Sequence, residues 1–279
     1  MDARLRRFVG VSAALTGILM VLGVYTASTG AGLTCAGRWP FCDGYLGLFP
    51  ANWSSFVEWF HRLVAMITGF VVLGTTVLAW RQGADRRVRL ALAGATILLP
   101  SQIILGALTV TTYQWAILLA HFGTASIIFT GVALASAWAY EPATDAAARD
   151  RIRGSLAAAS GLLPILLVLT PHTFVTFGPT VQAVYYSLGL AAYTALLAAA
   201  VWAAPAGVGV TSRPLRRLSA AAALVVISLL VIGRLVYGGT LQYVSVGGTL
   251  LALGLVAAAW YVARIRGGAT DARAISGSD

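Results

Sequence analysis

The chain has 279 residues, of which 59% are hydrophobic and 10% charged, and its mean hydropathy is +0.84. A soluble domain carries about 25% charged residues, so a soluble globular domain is excluded, as are a disordered chain and a disulfide-rich secreted scaffold. All 19 basic residues are arginine, and the net charge is +10. In so apolar a chain this excess indicates helices oriented by the positive-inside rule, and we expect no nucleic-acid partner.

Apolar runs long enough to cross a bilayer recur along the whole sequence. They predict an all-α integral membrane protein with eight transmembrane helices in two tandem four-helix bundles. The N-terminal bundle, 1–140, carries the site and an external cysteine loop, and the C-terminal bundle is 141–279. The predicted spans are 8–28, 56–80, 90–110, 115–139, 155–170, 181–204, 218–239 and 243–263.

Arginine placement supports this count and orients the chain. With eight spans, 16 of the 19 arginines fall on one side of the membrane, all except Arg38, Arg62 and Arg234. Positively charged loops stay in the cytoplasm, so both termini are predicted to be cytoplasmic. No transit-like extension precedes the first span, which favours the cell membrane of a prokaryote.

Two of the three histidines are placed for a shared site. His61 lies just inside the external end of the second span, and His121 just inside the external end of the fourth. Intramembrane ionisable residues are rare and usually functional. Imidazoles on facing helices suit axial ligation of haem iron, although two unrelated interior polar residues remain an alternative. His172 falls in an external loop, where a surface role is favoured.

Glu58 precedes His61 by three residues, on the same helical face, and Arg62 follows Glu58 by four. One interpretation is an i,i+4 ion pair between Glu58 and Arg62. The other assigns Arg62 to a haem propionate, because a guanidinium fork suits a carboxylate, and leaves Glu58 to act as a base beside a substrate. A di-iron site is rejected because no second acid lies within the predicted spans.

The remaining candidates are polar residues near the external side. Cys35 and Cys42 are the only cysteines, and their oxidising side of the membrane favours a disulfide. That disulfide is either a structural clip or a redox-sensitive lid, and a zinc site lacks further ligands. Arg234 interrupts the seventh span and either extends outward or reaches an anionic group such as a propionate. Gly69, Gly106, Gly123 and Gly131 are interpreted as small residues at close helix contacts.

Taken in order, these residues resemble the haem A synthase family, the cytochrome oxidase assembly group that converts haem O to haem A. The resemblance covers roughly residues 20–130. It is carried by Cys35, the run Trp39-Pro40-Phe41-Cys42-Asp43-Gly44, the run Glu58-Trp-Phe-His61-Arg62, the run Gln102-x-x-Leu105-Gly106, and His121.

The resemblance implies two similar four-helix bundles and the oxidation of the C8 methyl group of haem O to a formyl group. It implies that His61 and His121 ligate the substrate haem, that Glu58 is the catalytic carboxylate, and that Cys35 and Cys42 form the loop disulfide. The implied partners are the synthase that supplies haem O, an electron-transfer partner of unknown identity, and a terminal oxidase under assembly. An assembly of several copies of the chain stays open.

The sequence departs from this family in its second half. Family members with eight spans commonly hold a haem b between histidines on spans six and eight, but no histidine follows His172. The second haem site is therefore expected to be lost or built from other ligands. Two alternative functions stay open: a non-catalytic bis-histidine cytochrome, which has no use for Glu58, and a haem carrier or assembly chaperone.

Overall fold

The structure, a computed structural model, describes residues 1–112, 114–171, 173–203, 213–234 and 240–276, with the side chains of 242–264 in the last range. His172 lies outside the described residues. Helices account for nearly all of the described chain. Their bounds are α1 Ala3–Ser28, α2 Trp53–Arg81, α3 Arg86–Ile97, α4 Leu99–Thr111, α5 Trp115–Ala139, α6 Asp145–Val168, α7 Pro179–Trp202, α8 Arg213–Ile232 and α9 Thr240–Ser276.

Eight segments of the described chain are long and apolar enough to cross a membrane, which confirms the predicted number of spans. Three details differ from the prediction. The seventh span, predicted as 218–239, is a helix that begins at Arg213 and ends at Ile232. The third span is broken at Leu98 into α3 and α4, because Pro100 in the first turn of α4 cannot donate the backbone hydrogen bond of a continuous helix. The fifth span begins at Asp145, ten residues before the predicted start. The charged residues that precede the apolar run are part of the same helix.

Side-chain caps explain where several helices begin. Asn52 accepts a hydrogen bond from the Ser55 amide at the start of α2, and Thr144 accepts one from Ala147 at the start of α6. Each cap satisfies an amide that has no partner inside the first helical turn. The cap at Asn52 determines where α2 begins, and the candidate site lies in the first turns of this helix.

The helices pack in two cyclic arrangements. In the first half α1 contacts α2, α2 contacts α3, and α5 contacts both α3 and α1. In the second half α6, α7, α8 and α9 contact one another in the same cyclic order. Helix α7 joins the halves by packing on α1 and α5, and the hydroxyls of Thr130 and Tyr193 hydrogen-bond across this contact at 2.8 Å.

Arginine side chains stack on aromatic rings at the arginine-rich ends of the helices. The guanidinium carbons lie 4.9–5.7 Å from the ring centroids, within the range of a cation–π interaction. Such pairs combine a charged group with an apolar platform at the depth where a membrane meets water. The pairs at this end are Arg6–Tyr140, Arg87–Trp138, Arg89–Trp80, Arg151–Trp202 and Arg264–Trp260.

Candidate functional site

His61 projects from α2 onto α1, where a glycine makes room for its ring. A Cβ atom added at Gly23 would lie 3.1 Å from His61 Cε1 and 3.6 Å from Nε2. That separation is shorter than ordinary van der Waals contact, so a larger residue at Gly23 would displace the imidazole. The position of the His61 ring therefore depends on the absence of a side chain at Gly23 of α1.

His121 projects from α5 and packs against α4. A Cβ atom at Gly106 would lie 3.6 Å from His121 Cε1, an ordinary contact. One turn away, the Gln102 amide donates a hydrogen bond of 3.3 Å to the backbone carbonyl of His121. His61 and His121 also lie close enough to interact electrostatically. The structure thus brings together two imidazoles from different spans.

Glu58 and Arg62 form the ion pair that was one of the two sequence interpretations. Arg62 Nε donates to Glu58 Oε1 at 2.7 Å, and the carboxylate is 94% buried. The same guanidinium reaches the cysteine loop, donating from Nη1 to the carbonyls of Phe41 at 2.9 Å and Arg38 at 3.2 Å. Arg62 therefore anchors the loop over Glu58, and only its Nη2, which is buried without a partner, is uncommitted.

The cysteine loop is closed by the predicted Cys35–Cys42 disulfide. The loop is held to α2 through Asp43, whose carboxylate accepts hydrogen bonds from the Ser55 hydroxyl and the Ala51 amide. The bond from Ser55 has the larger effect, and together the two bonds hold the pKa of Asp43 below its ordinary value of 3.8. In the described chain the one group of potential metal ligands is Cys35, Cys42 and Asp43, and the disulfide uses both of its thiols.

Buried polar atoms without partners concentrate at this site. The described chain has seven such side-chain atoms, and four belong to α2 and α5: His61 Nδ1, Arg62 Nη2, Thr68 Oγ1 and His121 Nδ1. Buried polar groups in proteins are almost always paired, so an unpaired cluster signals a site whose partner is a bound group or water. The donor set of two imidazoles, a hydroxyl and a guanidinium fits an amphipathic ligand with a metal centre and acidic substituents.

Arg234 lies two residues after the end of α8, so it follows this helix and does not interrupt it as predicted. Its side chain is buried and faces the first half of the chain. Its guanidinium lies 5.9 Å from the ring of Phe122, the residue after His121, and 5.7 Å from the ring of Tyr186. Its Nη1 also makes a hydrogen bond of 3.5 Å to the side-chain oxygen of Gln182. The residue is thus 94% buried, and in the described chain no ion pair joins it to a carboxylate.

Aromatic rings cluster around α7 in the second half. Tyr185 and Tyr186 are buried on α7, and edge-to-face contacts connect them with Phe177 and Phe122 at centroid distances of 5.3–5.6 Å. Gln182 precedes Tyr185 by three residues, the same spacing that separates Glu58 from His61. The second half therefore repeats the spacing of the first with residues that do not carry its chemistry.

Three contributors to the site were not predicted from the sequence. Thr68 lies seven residues, or two turns, from His61, and this spacing was the available signal. Gly23 and Gln182 gave no signal, because each matters only through a neighbour on another helix. The structure brings Glu58, His61, Arg62 and His121 together, and Arg234 meets them through Phe122.

The fold and this site together define a polytopic helical membrane protein with a paired-histidine site near one end of its first four spans. Residues 51–170 match the family model described as cytochrome oxidase assembly protein. The matched segment includes Glu58, His61, Arg62 and His121. Over residues 51–170, less than half of its length, the chain is therefore similar to this family of cytochrome oxidase assembly proteins.

Several known proteins are similar to about half of this chain. The heme A synthase of Bacillus licheniformis is 32% identical over 126 residues, which are 44% of this chain and 41% of that protein. The heme A synthase of Lysinibacillus sphaericus is 35% identical over 133 residues, 46% of this chain and 43% of that protein. The protoheme IX farnesyltransferase of Halobacterium salinarum is 39% identical over 142 residues, half of this chain and 30% of that protein. The matched region spans less than half the length of each relative.

Proposed function

We propose that this protein is a haem A synthase, which oxidises the C8 methyl group of haem O to a formyl group. In this proposal His61 and His121 provide the axial ligands of the substrate's iron, and Glu58 is the catalytic carboxylate. The observation that carries the proposal is the cluster of buried, unpaired polar atoms around two imidazoles and a buried glutamate. The match of residues 51–170 to the cytochrome oxidase assembly family, and the similarity of 44% of the chain to a heme A synthase, support the same proposal.

The chemistry assigns a distinct task to Glu58. Each hydroxylation replaces a C–H bond of the methyl group by a C–O bond to a water-derived oxygen and releases two protons and two electrons. After the second hydroxylation, loss of water leaves the formyl group. Glu58 accepts protons near the reacting carbon, and the Arg62 guanidinium stabilises its carboxylate form. The electrons pass to an external acceptor, a quinone or a membrane cytochrome.

The test is the porphyrin profile of the purified protein, expressed in cells that make haem O. Haem A or its hydroxylated intermediate is expected from the wild type. Glu58→Gln should retain the bound haem but lose oxidised product, because proton transfer and not ligation is removed. The matched control is Glu141→Gln, which changes the only other glutamate and lies outside the site. Bound haem without oxidised product in the wild type, with an electron acceptor present, would indicate a cytochrome or a carrier instead.

Arg62 and Arg234 are proposed to contact the propionates of the haem. Arg62 can do so through Nη2, which is buried and unpaired, while Nε and Nη1 keep their contacts with Glu58 and the loop. Arg234 contributes a buried positive charge whose hydrogen-bonded neighbour in the described chain is the neutral Gln182. Arg234→Gln should weaken haem binding more than Arg216→Gln, which changes an exposed arginine of α8.

We also propose one haem per chain and a specific arrangement in the membrane. The cyclic packing supports two tandem bundles, 1–140 and 141–279, and the arginine distribution supports cytoplasmic termini in a prokaryotic cell membrane. A haem-to-protein ratio near two would contradict the loss of the haem b site. Reporter fusions at the termini and after residue 44 test the orientation.

The partners proposed for this site are the synthase that supplies haem O and the terminal oxidase that receives the product. A region similar to this chain occurs within proteins named protoheme IX farnesyltransferase, in Halobacterium and Haloarcula, where it covers about 30% of their length. That occurrence supports a close association between supply of the isoprenylated haem and its oxidation. Co-purification of a farnesyltransferase with the tagged chain from native membranes tests it.

A further inference from the structure

We propose that the gap between α2 and α4 is a side opening that admits the isoprenoid tail of the substrate porphyrin and leaves it in contact with lipid. The inference rests on the proposed function, because it assigns the tail of the same substrate to a subsite of the same site. It names a binding determinant that distinguishes an isoprenylated porphyrin from one that lacks the tail.

The break at Leu98 creates the opening. Before the break, α3 packs on α2, and Thr76 on α2 hydrogen-bonds with Thr96 at 2.7 Å and with the Leu92 carbonyl at 3.3 Å. After the break, α4 packs on α5 and on the short turn Ala31–Leu33, while its contact with α2 in the described chain is marginal. The outer half of the third span is therefore turned away from α2.

The opening has a defined frame. Helices α2 and α4 form its sides, and the packed pair α2 and α3 forms its inner edge. At the outer edge the turn Ala31–Leu33 contacts α1, α2 and α4, and a Cβ atom on its central residue, Gly32, would lie 3.9 Å from Glu58 Oε2. The opening thus lies on the membrane side of Glu58, at the depth of the two histidines.

Gly69 marks the α2 side of this opening. It lies seven residues, or two turns, outward from Thr76, so it is on the face of α2 that is directed towards the third span. A Cβ atom at Gly69 would meet no atom within 4 Å. Ala65 lies four residues from both Gly69 and His61, about one turn of α2 from each.

The surroundings of the opening offer polar contacts to one end of an amphipathic ligand and apolar contacts to the other end. The outer side of the site holds Arg62 and Glu58, which suit the acidic edge of a porphyrin. On α4 the neighbouring side chains are apolar and directed outward: Ile103 is 56% exposed and Ile104 is 61% exposed. A hydrocarbon tail that passes through this opening would lose no polar contact when it enters the lipid, because the interior of the bilayer is as apolar as the tail.

The experiment compares two porphyrins that differ in the tail, haem O and haem B, by absorbance titration of the full chain in lipid nanodiscs. Gly69→Phe fills the opening and is expected to weaken haem O binding by at least about tenfold relative to haem B binding. The matched control is Gly74→Phe, because Gly74 also lies in α2 with no atom within 4 Å of an added Cβ but is five residues further along and exposed. It should change neither affinity.

A graded series keeps the test interpretable if the phenylalanine variant folds poorly. Gly69→Ala and Gly69→Leu should weaken haem O binding in order of side-chain size and leave haem B binding unchanged. Equal weakening of both porphyrins, or unchanged haem O binding throughout the series, would overturn the side opening alone. A wild type that binds neither porphyrin would overturn the proposed function and the opening together, whereas binding without oxidation would contradict only the proposed activity.

Discussion

Replacing Gly23 by alanine tests whether the position of His61 controls the activity of the site. An added Cβ would lie 3.1 Å from His61 Cε1, whereas carbon atoms in contact are about 3.5–4.0 Å apart. The imidazole must therefore retreat by about 0.4–0.9 Å. Metal–ligand distances vary by only about 0.2 Å. A displacement of the imidazole larger than this should weaken the proposed bond between His61 and the haem iron.

The expected loss is large compared with the size of the change. A displacement of about 1 Å in a reacting site can cost about 100-fold in rate. Under the proposed function, we expect Gly23→Ala to lower haem O oxidation by about 10- to 100-fold. It should also decrease the low-spin fraction in the absorbance spectrum of the reconstituted haem. Thermal stability should not fall, since alanine favours a helix over glycine by about 1 kcal/mol.

Two further glycines serve as controls for this prediction. Gly74→Ala introduces the same methyl group into open space on α2, and it should leave both the spectrum and the rate unchanged. Gly106→Ala places a Cβ 3.6 Å from His121 Cε1, an ordinary contact, and its effect should be intermediate or absent. A normal spectrum and rate for Gly23→Ala would refute the argument that this contact positions His61.

The remaining predictions concern the cysteine loop. Replacing Cys35 and Cys42 by serine should destabilise the loop by about 2–3 kcal/mol, the value for closing a short ring, and raise amide hydrogen exchange there. Because the pKa of Asp43 is lowered, the bond from the Ala51 amide should persist above pH 3.8 and be lost as the pH falls through the lowered pKa. Exchange at Ala51 that rises already between pH 6 and pH 5 would contradict this assignment. Arg62→Gln should also mobilise the loop, at neutral pH and with the disulfide intact.

The spans were predictable because a bilayer leaves few alternatives to long apolar helices. Their details were less so: Pro100 lay within an apolar run and its break of the third span was missed. The interpretation of glycines as close helix contacts is confirmed for Gly131, where a Cβ would lie 3.1 Å from the Ala91 carbonyl, and wrong for Gly69 and Gly123, which face open space. Composition alone does not tell which side of a helix a neighbour occupies.

Within the site, spacing along the sequence predicted the contacts inside one helix. It did not predict the contacts between two elements that are distant in the sequence. The Glu58–Arg62 pair followed from an i,i+4 spacing, but the loop carbonyls that share Arg62 come from residues more than 20 positions earlier. Their approach depends on the fold of the cysteine loop, which has no periodic pattern. The contact of Arg234 with Phe122 likewise requires the packing of the two halves against each other.

The arginine–aromatic pairs at one end of the helices have a consequence for how the protein sits in the membrane. Each ring and its guanidinium define a height at the boundary between lipid and water, and the pairs come from spans throughout the chain. Four of the five pairs join different segments of the chain, and these resist slippage of the joined helices along the membrane normal when bilayer thickness changes. Lysine would preserve the net charge but stack less well on the rings. The all-arginine composition thus favours stacked pairs at this end of the helices.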